Sequence, residues 1–189
     1  MIKYLSHILV LLLSVFILSS CFGIWDWSGW SGAGLSSYSW EWFKIDIPAS
    51  WQVLDSESGA LPSPSSWDIA LAVSSPDARN GFSNNFVILK EVKDTNLNSK
   101  EFSQVTHTSS EDDYYSYDKT SSKILIFSDE EESMLYTFKA KYNKNTPTLH
   151  FLQTARICVD ETYVLTIALH EDTTGLERYE GILKTFQCK

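Results

Sequence analysis

The sequence has few of the residue types that carry most enzymatic and nucleic-acid-binding chemistry. It contains three cysteines and four histidines, and its 15 lysines and arginines stand against 24 aspartates and glutamates, which gives a formal net charge of −9. Because nucleic-acid phosphates are bound by clusters of lysine and arginine, this balance argues against a nucleic-acid partner. It also argues against a basic patch that binds anionic lipid.

Recognisable catalytic motifs are missing as well. The sequence contains no GxSxG, HExxH, P-loop or CxxC pattern, so the common nucleophile, zinc-protease, nucleotide and redox signatures are absent. We therefore expect a protein that is not an enzyme and that holds no cofactor. The hydrophobic content of 43% is sufficient for one folded domain of ordinary size.

The sequence also lacks a hydrophobic run long enough to span a bilayer. After Lys3, residues 8–18 are almost entirely apolar, whereas a spanning helix needs about 20 apolar residues. A basic start followed by about 7–15 apolar residues is typical of a secretory signal peptide. We therefore assign residues 1–20 to a signal peptide; a buried helix or an uncleaved anchor is the alternative.

The end of this segment, Leu18-Ser19-Ser20-Cys21, resembles the lipobox of bacterial lipoproteins. The resemblance implies that the Cys21 sulfur carries a diacylglyceryl group and that cleavage leaves Cys21 as the first residue. It places the protein in the cell envelope, lipid-anchored on the extracytoplasmic side of a bacterial membrane, with the membrane as one partner. Acyl chains contribute about 0.8 kcal/mol of binding free energy per buried methylene. Ordinary secretory cleavage is the alternative.

Residues 21–40 begin with CFGIWDWSGWSGAG, in which large aromatic residues alternate with glycine and serine. Glycine and serine are typical of a flexible tether, and tryptophan is enriched where a bilayer meets water. We predict a lipidated tether whose aromatic residues contact the membrane interface: Phe22, Trp25, Trp27 and Trp30. Alternatively, these side chains dock on the folded domain or stay in solvent.

If Cys21 is lipidated, two of the three cysteines remain, Cys158 and Cys188. Exported proteins can form disulfides, and an even number of remaining cysteines favours one. Cys158 ends a predicted strand, and the last predicted helix runs back along the following strand, so its end brings Cys188 close to Cys158. We predict this disulfide; two unpaired thiols are the alternative.

Residues 41–189 are predicted to form one α+β domain. Spacing of 3.6 residues between apolar positions predicts two helices, 98–108 and 175–186. Alternation of apolar and polar residues predicts strands at 43–47, 67–73, 85–92, 123–127, 134–142, 148–158 and 162–170. Short turns between consecutive strands indicate an antiparallel sheet, while 111–121 is expected to be irregular.

The same periodicity predicts which residues are buried. One face of the last hairpin is expected to be covered by the C-terminal helix and to carry Phe151, Ala155, Ile157, Tyr163, Leu165, Ile167 and Leu169. The other, partly covered face is expected to carry Leu152, Val164 and Ala168. In the first helix, Phe102, Val105 and Thr106 are expected to share the buried face.

No metal site is predicted, but His150 and His170 are weak candidates. They are expected to lie opposite or nearly opposite each other across the last hairpin, and two imidazoles followed by Glu171 suit zinc. Two polar residues at a solvent-facing sheet end are the alternative. His107 with the acidic residues 111–113 is a weaker candidate for calcium, and a solvated acidic loop is its alternative.

Four further residues have two interpretations each. Arg156 stands among apolar residues of a predicted strand, where it can hold a ligand anion or pair with a neighbouring carboxylate. Tyr114, Tyr115 and Tyr117 can form a recognition surface or pack their loop onto the sheet.

The order of elements is similar to that of the PsbP-like family. A strand ending FKIDIP is followed by PASW, by the strand NNFVILKEV, by a helix, by the hairpin KILIFSDEEESMLYTFKAKY and by the closing TYVLTIALHEDTTGLERYEGILKTF. The resemblance covers roughly residues 41–187, but 129–133 lacks the glycine expected there. It implies an α/β/α sandwich with a central antiparallel sheet and a C-terminal helix.

The best-known members of that family are non-catalytic accessory proteins that dock on membrane complexes. The resemblance therefore implies a binding or assembly role. We expect a membrane-anchored lipoprotein whose domain docks on an envelope protein or complex. The alternative is a domain that binds a small ligand or a metal, or hydrolyses a substrate, in a cleft of the sandwich.

Overall fold

The computed structural model describes residues 34–54, 67–93 and 96–189. These ranges contain two helices, α1 (Ser99–Glu111) and α2 (Leu176–Lys184). The strands β1 to β10 are, in chain order, Leu35–Ser39, Phe43–Pro48, Gln52–Val53, Asp68–Arg79, Phe82–Val92, Tyr115–Ile126, Glu132–Lys141, Leu149–Ile157, Glu161–His170 and Gln187–Cys188. Both helices lie where the sequence predicts them.

Most of the strands form one antiparallel sheet. Its seven strands lie in the order β3-β4-β5-β9-β8-β7-β6, and a second sheet of three strands has the order β1-β2-β10. All of the neighbouring strands in the described ranges pair in antiparallel fashion. The predicted α+β class, with a central antiparallel sheet and a C-terminal helix, is confirmed.

Both faces of the large sheet are covered. Helix α1 packs on β7 and β8, on the face that carries the buried cluster of Tyr136, Phe138, Ala140, Leu149, Phe151 and Ala168. On the opposite face, the rings of Phe43 from β2 and Tyr163 from β9 lie 5.4 Å apart, and Phe186 stacks on Phe43 at 5.1 Å. The third layer is therefore made of α2 together with the small sheet.

Helix α1 begins with a capping box. Asn98 Oδ1 accepts a hydrogen bond from the Glu101 amide at 2.9 Å, and Glu101 Oε2 accepts one from the Asn98 amide at 3.1 Å. These two bonds satisfy amides that would otherwise lack a partner at the helix start. The cap is therefore Asn98.

The buried face of α1 is polar. Ser99, Ser103 and His107 follow each other at intervals of four residues and are all buried. Ser103 Oγ donates to the Met134 carbonyl at 2.8 Å, and Ser99 Oγ accepts from an amide at the end of β8 at 3.0 Å. Val105 is exposed, so the prediction that it shares the buried face is wrong. Because the sheet offers hydrogen-bond partners, the helix turns its polar stripe inward.

The last hairpin has a different register from the expected one. Phe151 lies opposite Ala168, and Leu152 lies opposite Ile167. The α1 side of the sheet therefore carries Phe151, Ala155, Ile157, Val164 and Ala168, and the α2 side carries Leu152, Tyr163, Leu165, Ile167 and Leu169. The predicted grouping on one face is wrong, because a difference of one residue in register exchanges the faces of a whole strand.

Strand β6 extends into the segment that was expected to be irregular. It begins at Tyr115 and contains two irregularities in its pairing with β7, one between Tyr115 and Asp118 and one between Lys119 and Ser121. Such bulges break the simple alternation of side chains. The polar, aromatic sequence of this segment therefore does not show the usual pattern of a strand.

Strand β1 lies within residues 21–40, which the sequence assigns to the tether. It pairs along β2, with Tyr38 opposite Ile45, and the compact unit of the fold begins at Gly34. Strand β1 is held mainly by its backbone pairing with β2, so its serines stay exposed. Its sequence therefore has the composition of a linker and lacks the apolar alternation of a strand.

Candidate functional site

The outer edge of β6 carries an exposed apolar pair, here called the β6 edge patch. Within residues 34–54, 67–93 and 96–189, β6 pairs only with β7. Ile124 and Ile126 project from the same face of β6 and are 49% and 53% exposed, while Leu125 between them is buried. From Ser121 onward the pairing with β7 has no irregularity. The edge beside the two isoleucines is therefore regular.

The lysine next to the β6 edge patch is engaged with helix α2. Lys123 Nζ lies 2.6 Å from Glu180 Oε2, and Lys184 Nζ lies 2.9 Å from the other oxygen of the same carboxylate. Burial raises the pKa of Glu180, but hydrogen bonds from the two lysines outweigh it, so that the pKa lies below its ordinary value. The carboxylate stays ionised and holds Lys123 against the helix.

A second exposed apolar surface, here called the tryptophan end, is formed by Trp40, Trp42 and Val159. The two tryptophans are 45% and 46% exposed, and Val159 is 80% exposed. The Lys189 amide donates to the Trp42 carbonyl at 3.0 Å, and Lys189 Nζ donates to the Trp40 carbonyl. Tyr38 stacks on Trp40 with ring centroids 6.3 Å apart. Two separate segments of the chain, residues 38–42 and Lys189, thus hold the tryptophans in place.

A disulfide fixes the tryptophan end to the fold. Cys158, after β8, is bonded to Cys188 of β10, with the two Cα atoms 5.7 Å apart. The predicted disulfide is confirmed, and so is the reason given for it. Helix α2 returns the chain to the turn between β8 and β9, where Cys158 lies.

Two small cavities lie near the small sheet. One, of about 240 Å³, is lined by Trp42, Cys158, Val159, Asp160, Glu161 and Lys189. The other, of about 160 Å³, is lined by Ser37, Lys44, Ile45, Asp46, Ser128, Thr185 and Gln187. Both are smaller than the roughly 300–1,000 Å³ that is typical of sites for drug-sized ligands.

His107 is 3% exposed and belongs to a polar network between α1 and the large sheet. Its Nδ1 lies 3.1 Å from Gln153 Oε1 and must donate there, so Nε2 of the neutral ring accepts from the Tyr117 hydroxyl at 2.8 Å. The ring stacks on Tyr136 with centroids 3.7 Å apart. Burial lowers the pKa of His107, although the bond to Gln153 and the nearby Glu111 carboxylate oppose the shift.

This network does not form the calcium site considered above. Glu111 Oε1 lies 3.7 Å from His107 Nε2, but Asp112 and Asp113 are exposed in the turn that follows α1. No group of three or more histidine, cysteine, aspartate or glutamate side chains placed to hold a metal ion occurs in the described part of the chain. Neither cavity reaches the imidazole or its hydrogen-bond partners.

The three tyrosines after α1 lie in different surroundings. Tyr114 packs on Phe151 with ring centroids 4.9 Å apart, and burial raises its pKa far above the ordinary value. Burial also raises the pKa of Tyr117, to about 12. Tyr115 is exposed. Packing onto the sheet, the second of the two interpretations, therefore holds for Tyr114 and Tyr117.

His150 and His170 lie on opposite faces of the large sheet. The register places His170 opposite Leu149 and His150 opposite Leu169. The His170 ring contacts Phe82 edge-on, with centroids 5.3 Å apart. The expectation that the two imidazoles are neighbours is wrong, because the hairpin pairs each histidine with a leucine. They cannot bind the same metal ion.

Arg156 pairs with carboxylates, the second interpretation given for it. Its Nη2 donates to Asp129 Oδ2 at 2.7 Å, and its Nη1 lies 3.7 Å from Glu131 Oε1. The guanidinium lies over the Phe127 ring at 5.1 Å from the centroid. Burial lowers the pKa of Arg156, and the Asp129 charge opposes this shift. The bond to Asp129, with Glu131 within ion-pair distance, thus ties the acidic turn to the sheet.

The lipidation candidate and the aromatic residues of the tether lie outside the described residues, as does the assigned signal peptide. These candidates are Cys21, Phe22, Trp25, Trp27 and Trp30. In the ranges that are described, neither helix has the length and apolar character needed to cross a bilayer.

Two features of the site have weak signals in the sequence. The exposure of Trp40 and Trp42 is not predicted, because a large apolar side chain ordinarily indicates a core position. Their place at the end of the assigned tether, with Trp40 as its last residue and Trp42 just beyond it, is the signal that points to the surface. For His107, the signal is its spacing of four from Ser103 and of eight from Ser99, which places three polar residues on one helix face.

Comparison with known proteins supports the fold. No protein-family model matches the sequence, and no curated protein matches it. Among solved structures, the chain is similar to PsbP (CyanoP) from the cyanobacterium Synechocystis, with a TM-score of 0.56 and 13% sequence identity, covering 83% of this chain and 94% of that chain.

Two further solved structures are similar with lower scores. A protein from Bacteroides thetaiotaomicron has a TM-score of 0.44 and 10% identity, over 78% of this chain and 45% of that chain. The Ran-binding protein Mog1p from Saccharomyces cerevisiae has a TM-score of 0.46 and 9% identity, over 82% of this chain and 95% of that chain. On the similarity to cyanobacterial PsbP, the chain has a PsbP-like fold, as its order of elements predicts.

Proposed function

We propose that this protein is a bacterial lipoprotein whose folded domain binds a protein partner in the cell envelope without catalysing a reaction. The lipid on Cys21 holds the domain at the extracytoplasmic membrane surface, where it acts as a binding or assembly module. The lipobox-like sequence 18–21 and the PsbP-like fold support the proposal. So does the disulfide, because disulfides persist in oxidising compartments outside the cytoplasm.

The β6 edge patch is the observation that carries the binding role. A free strand edge presents backbone N–H and C=O groups to which a strand of another protein can be added. Edge strands are commonly protected by bulges or by free lysines. In β6 both irregularities precede Ser121, and Lys123 is bound to Glu180. The remaining stretch therefore suits an extended apolar segment of a partner, with Ile124 and Ile126 as its contacts.

A photo-crosslinking amino acid at position 126 tests this role, with position 53 as the matched control. Ile126 and Val53 are both 53% exposed, but Val53 belongs to β3, at the opposite edge of the large sheet. We expect irradiation of cells to give a discrete adduct with an envelope protein from position 126 and none from position 53. No adduct at 126, or equal adducts at both positions, contradicts docking through β6.

The lipid anchor is tested separately by mass spectrometry of the protein extracted from membranes. We expect an N-terminal peptide that begins at Cys21 and carries the mass of the lipid. The Cys21→Ser variant is expected to leave the membrane fraction while keeping the circular dichroism spectrum of the fold. An unmodified Cys21 would refute the anchor.

A further inference from the structure

The tryptophan end is an exposed apolar surface that the proposed docking does not use. Trp40 and Trp42 expose nearly half of their side chains, and Val159 is more exposed than any other large hydrophobic residue of the described ranges. Folded proteins that stay in solution rarely group such residues, and exposed apolar patches mark sites of contact with proteins or membranes. The choice between these two partners depends on the chemistry and the location of the surface.

We propose that the tryptophan end inserts into the interface of the phospholipid bilayer and fixes the orientation of the domain on the membrane. This inference rests on the lipid anchor of the proposed function and adds a second membrane contact, made by the folded domain itself. In this proposal the β6 edge patch remains the separate contact for the protein partner.

The chemistry of the surface fits the zone between lipid headgroups and acyl chains. An indole ring has a large apolar face and one N–H donor, so tryptophan is favoured where hydrocarbon meets polar groups. The charged residues beside the tryptophans in sequence or lining the adjacent cavity are Glu41, Asp160, Glu161 and Lys189. Because three of these four are acidic, anionic lipid is not attracted. The contact therefore depends on the indole rings and suits zwitterionic lipid.

The distance along the chain permits this contact. Residues 22–33 separate Cys21 from Gly34, where the compact unit begins, and a chain of this length spans at most about 45 Å. The five residues of β1 then advance by about 17 Å toward Trp40. The tryptophan end thus lies within reach of a bilayer that holds the lipid of Cys21.

The surface is also formed before it meets the membrane. A backbone hydrogen bond joins Lys189 to Trp42, and the disulfide joins the turn that carries Val159 to β10. Insertion therefore does not have to order a flexible segment, which is one of the main costs of binding.

The test uses the mature chain from Cys21 onward, coupled through the Cys21 thiol to maleimide-bearing lipid in phosphatidylcholine vesicles. Because Cys158 and Cys188 are bonded to each other, the thiol of Cys21 is the one available for coupling. Half of the samples contain lipid with brominated acyl chains, which quench tryptophan fluorescence only at short range. The remaining samples contain the same lipid without bromine.

The fluorescence of the tryptophan end is obtained by subtracting the fluorescence of the Trp40→Phe/Trp42→Phe variant from that of the wild type. This variant keeps apolar rings and removes two indoles. We expect brominated lipid to reduce this difference signal about twofold or more, since interfacial indoles lie close to the upper acyl chains. Trp51, which is buried near Tyr179, is the matched control. The difference signal from Trp51→Phe is expected to be the same in both kinds of vesicle.

Equal fluorescence of the Trp40 and Trp42 signal in both kinds of vesicle would overturn the proposal and leave a protein as the partner of this surface. Quenching that requires phosphatidylglycerol would also overturn it, because the contact would then depend on charge. The same measurements in an Ile124→Ser/Ile126→Ser background are expected to give unchanged quenching. Chemical coupling supplies the anchor, so failure here is distinguishable from absent lipidation of Cys21 in cells.

Discussion

Removing the disulfide with Cys158→Ala and Cys188→Ala is expected to lower the free energy of unfolding by about 3.6 kcal/mol. The bond joins residues 30 positions apart in the sequence. In the chain-entropy description, closing a loop of this length removes about 12 cal/mol/K from the unfolded chain, which corresponds to about 3.6 kcal/mol at 25 °C. For a domain of this size, a loss of that order lowers Tm by about 7–14 °C.

Most of this effect is expected to arise in the unfolded chain. Without the bond, β10 still pairs with β2 through Gln187 opposite Lys44. Phe186 is fully buried and stacks on Phe43, so the end of α2 keeps its place in the core. The native structure therefore changes little, and the unfolded chain gains the freedom of an open loop.

Urea unfolding followed by circular dichroism measures the change, in a Cys21→Ser background that prevents thiol exchange with the bond. We expect a lower midpoint and a steeper slope of free energy against urea concentration, because the unfolded chain without the bond is less compact and exposes more surface. Reduction of the parent protein is expected to give the same loss, and reductant is expected to leave the double variant unchanged. A loss below about 1 kcal/mol would refute the loop-entropy reasoning, and a parent protein insensitive to reductant would show that the bond is not formed.

Three further predictions concern the core, the cap and the buried histidine. Phe186→Ala is expected to cost about 3–5 kcal/mol in the same assay, since Phe186 is fully buried against Phe43, and a loss near zero would contradict this packing. Asn98→Ala is expected to cost about 1 kcal/mol, whereas Asn98→Asp keeps the acceptor for the Glu101 amide and is expected to cost less. Burial lowers the pKa of His107 below its ordinary value of 6.5, so the unfolded chain binds the extra proton and stability falls as the pH drops below about 6.5. The Tm advantage of the parent over His107→Asn is therefore expected to shrink between pH 7.5 and 5.5, and an advantage that grows would contradict the sign.

The sequence predicts the order and type of most elements because each has a local signal. The two helices show 3.6-residue spacing, and Asn98 with Glu101 marks the start of α1. The disulfide is also predictable. Strand β9 leads away from the turn that carries Cys158, and α2 leads back toward it, which brings Cys188 close to Cys158. These predictions use residues that are close in sequence, and they do not depend on which element packs on each face of the sheet.

The register of the last hairpin is different in kind. Strand β9 has Tyr163, Leu165 and Ile167 on one face but also Val164 and Ala168 on the other. A strand covered on both faces has a nearly continuous apolar sequence, so alternation does not show which residues meet α1 and which meet α2. The mistaken pairing of His150 with His170 has the same origin.

The interior of α1 shows the opposite difficulty. Its sheet-facing stripe is polar and is stabilised by hydrogen bonds to groups distant in sequence, such as Ser103 to the Met134 carbonyl. Propensity and apolar spacing instead favour burial of Val105, which is exposed. Where a helix packs on a sheet through hydrogen bonds, the buried face is determined by the polar groups of the sheet. Those groups are distant in sequence, so the sequence of the helix alone does not show which face is buried.

For the proposed docking, the energies of the two exposed surfaces imply a dependence on the membrane. Burying the exposed parts of Ile124 and Ile126 contributes about 2–3 kcal/mol, and each added backbone hydrogen bond contributes about 1 kcal/mol. A micromolar complex needs about 8 kcal/mol, so the β6 edge patch alone gives weak binding in solution. If the partner lies on the same membrane, anchoring keeps the two proteins close together. The β6 edge patch then meets its partner at an effective concentration in the millimolar range. Tryptophan-end insertion restricts the orientations further, so the crosslink from position 126 should require Cys21 even though the two sites belong to different parts of the chain.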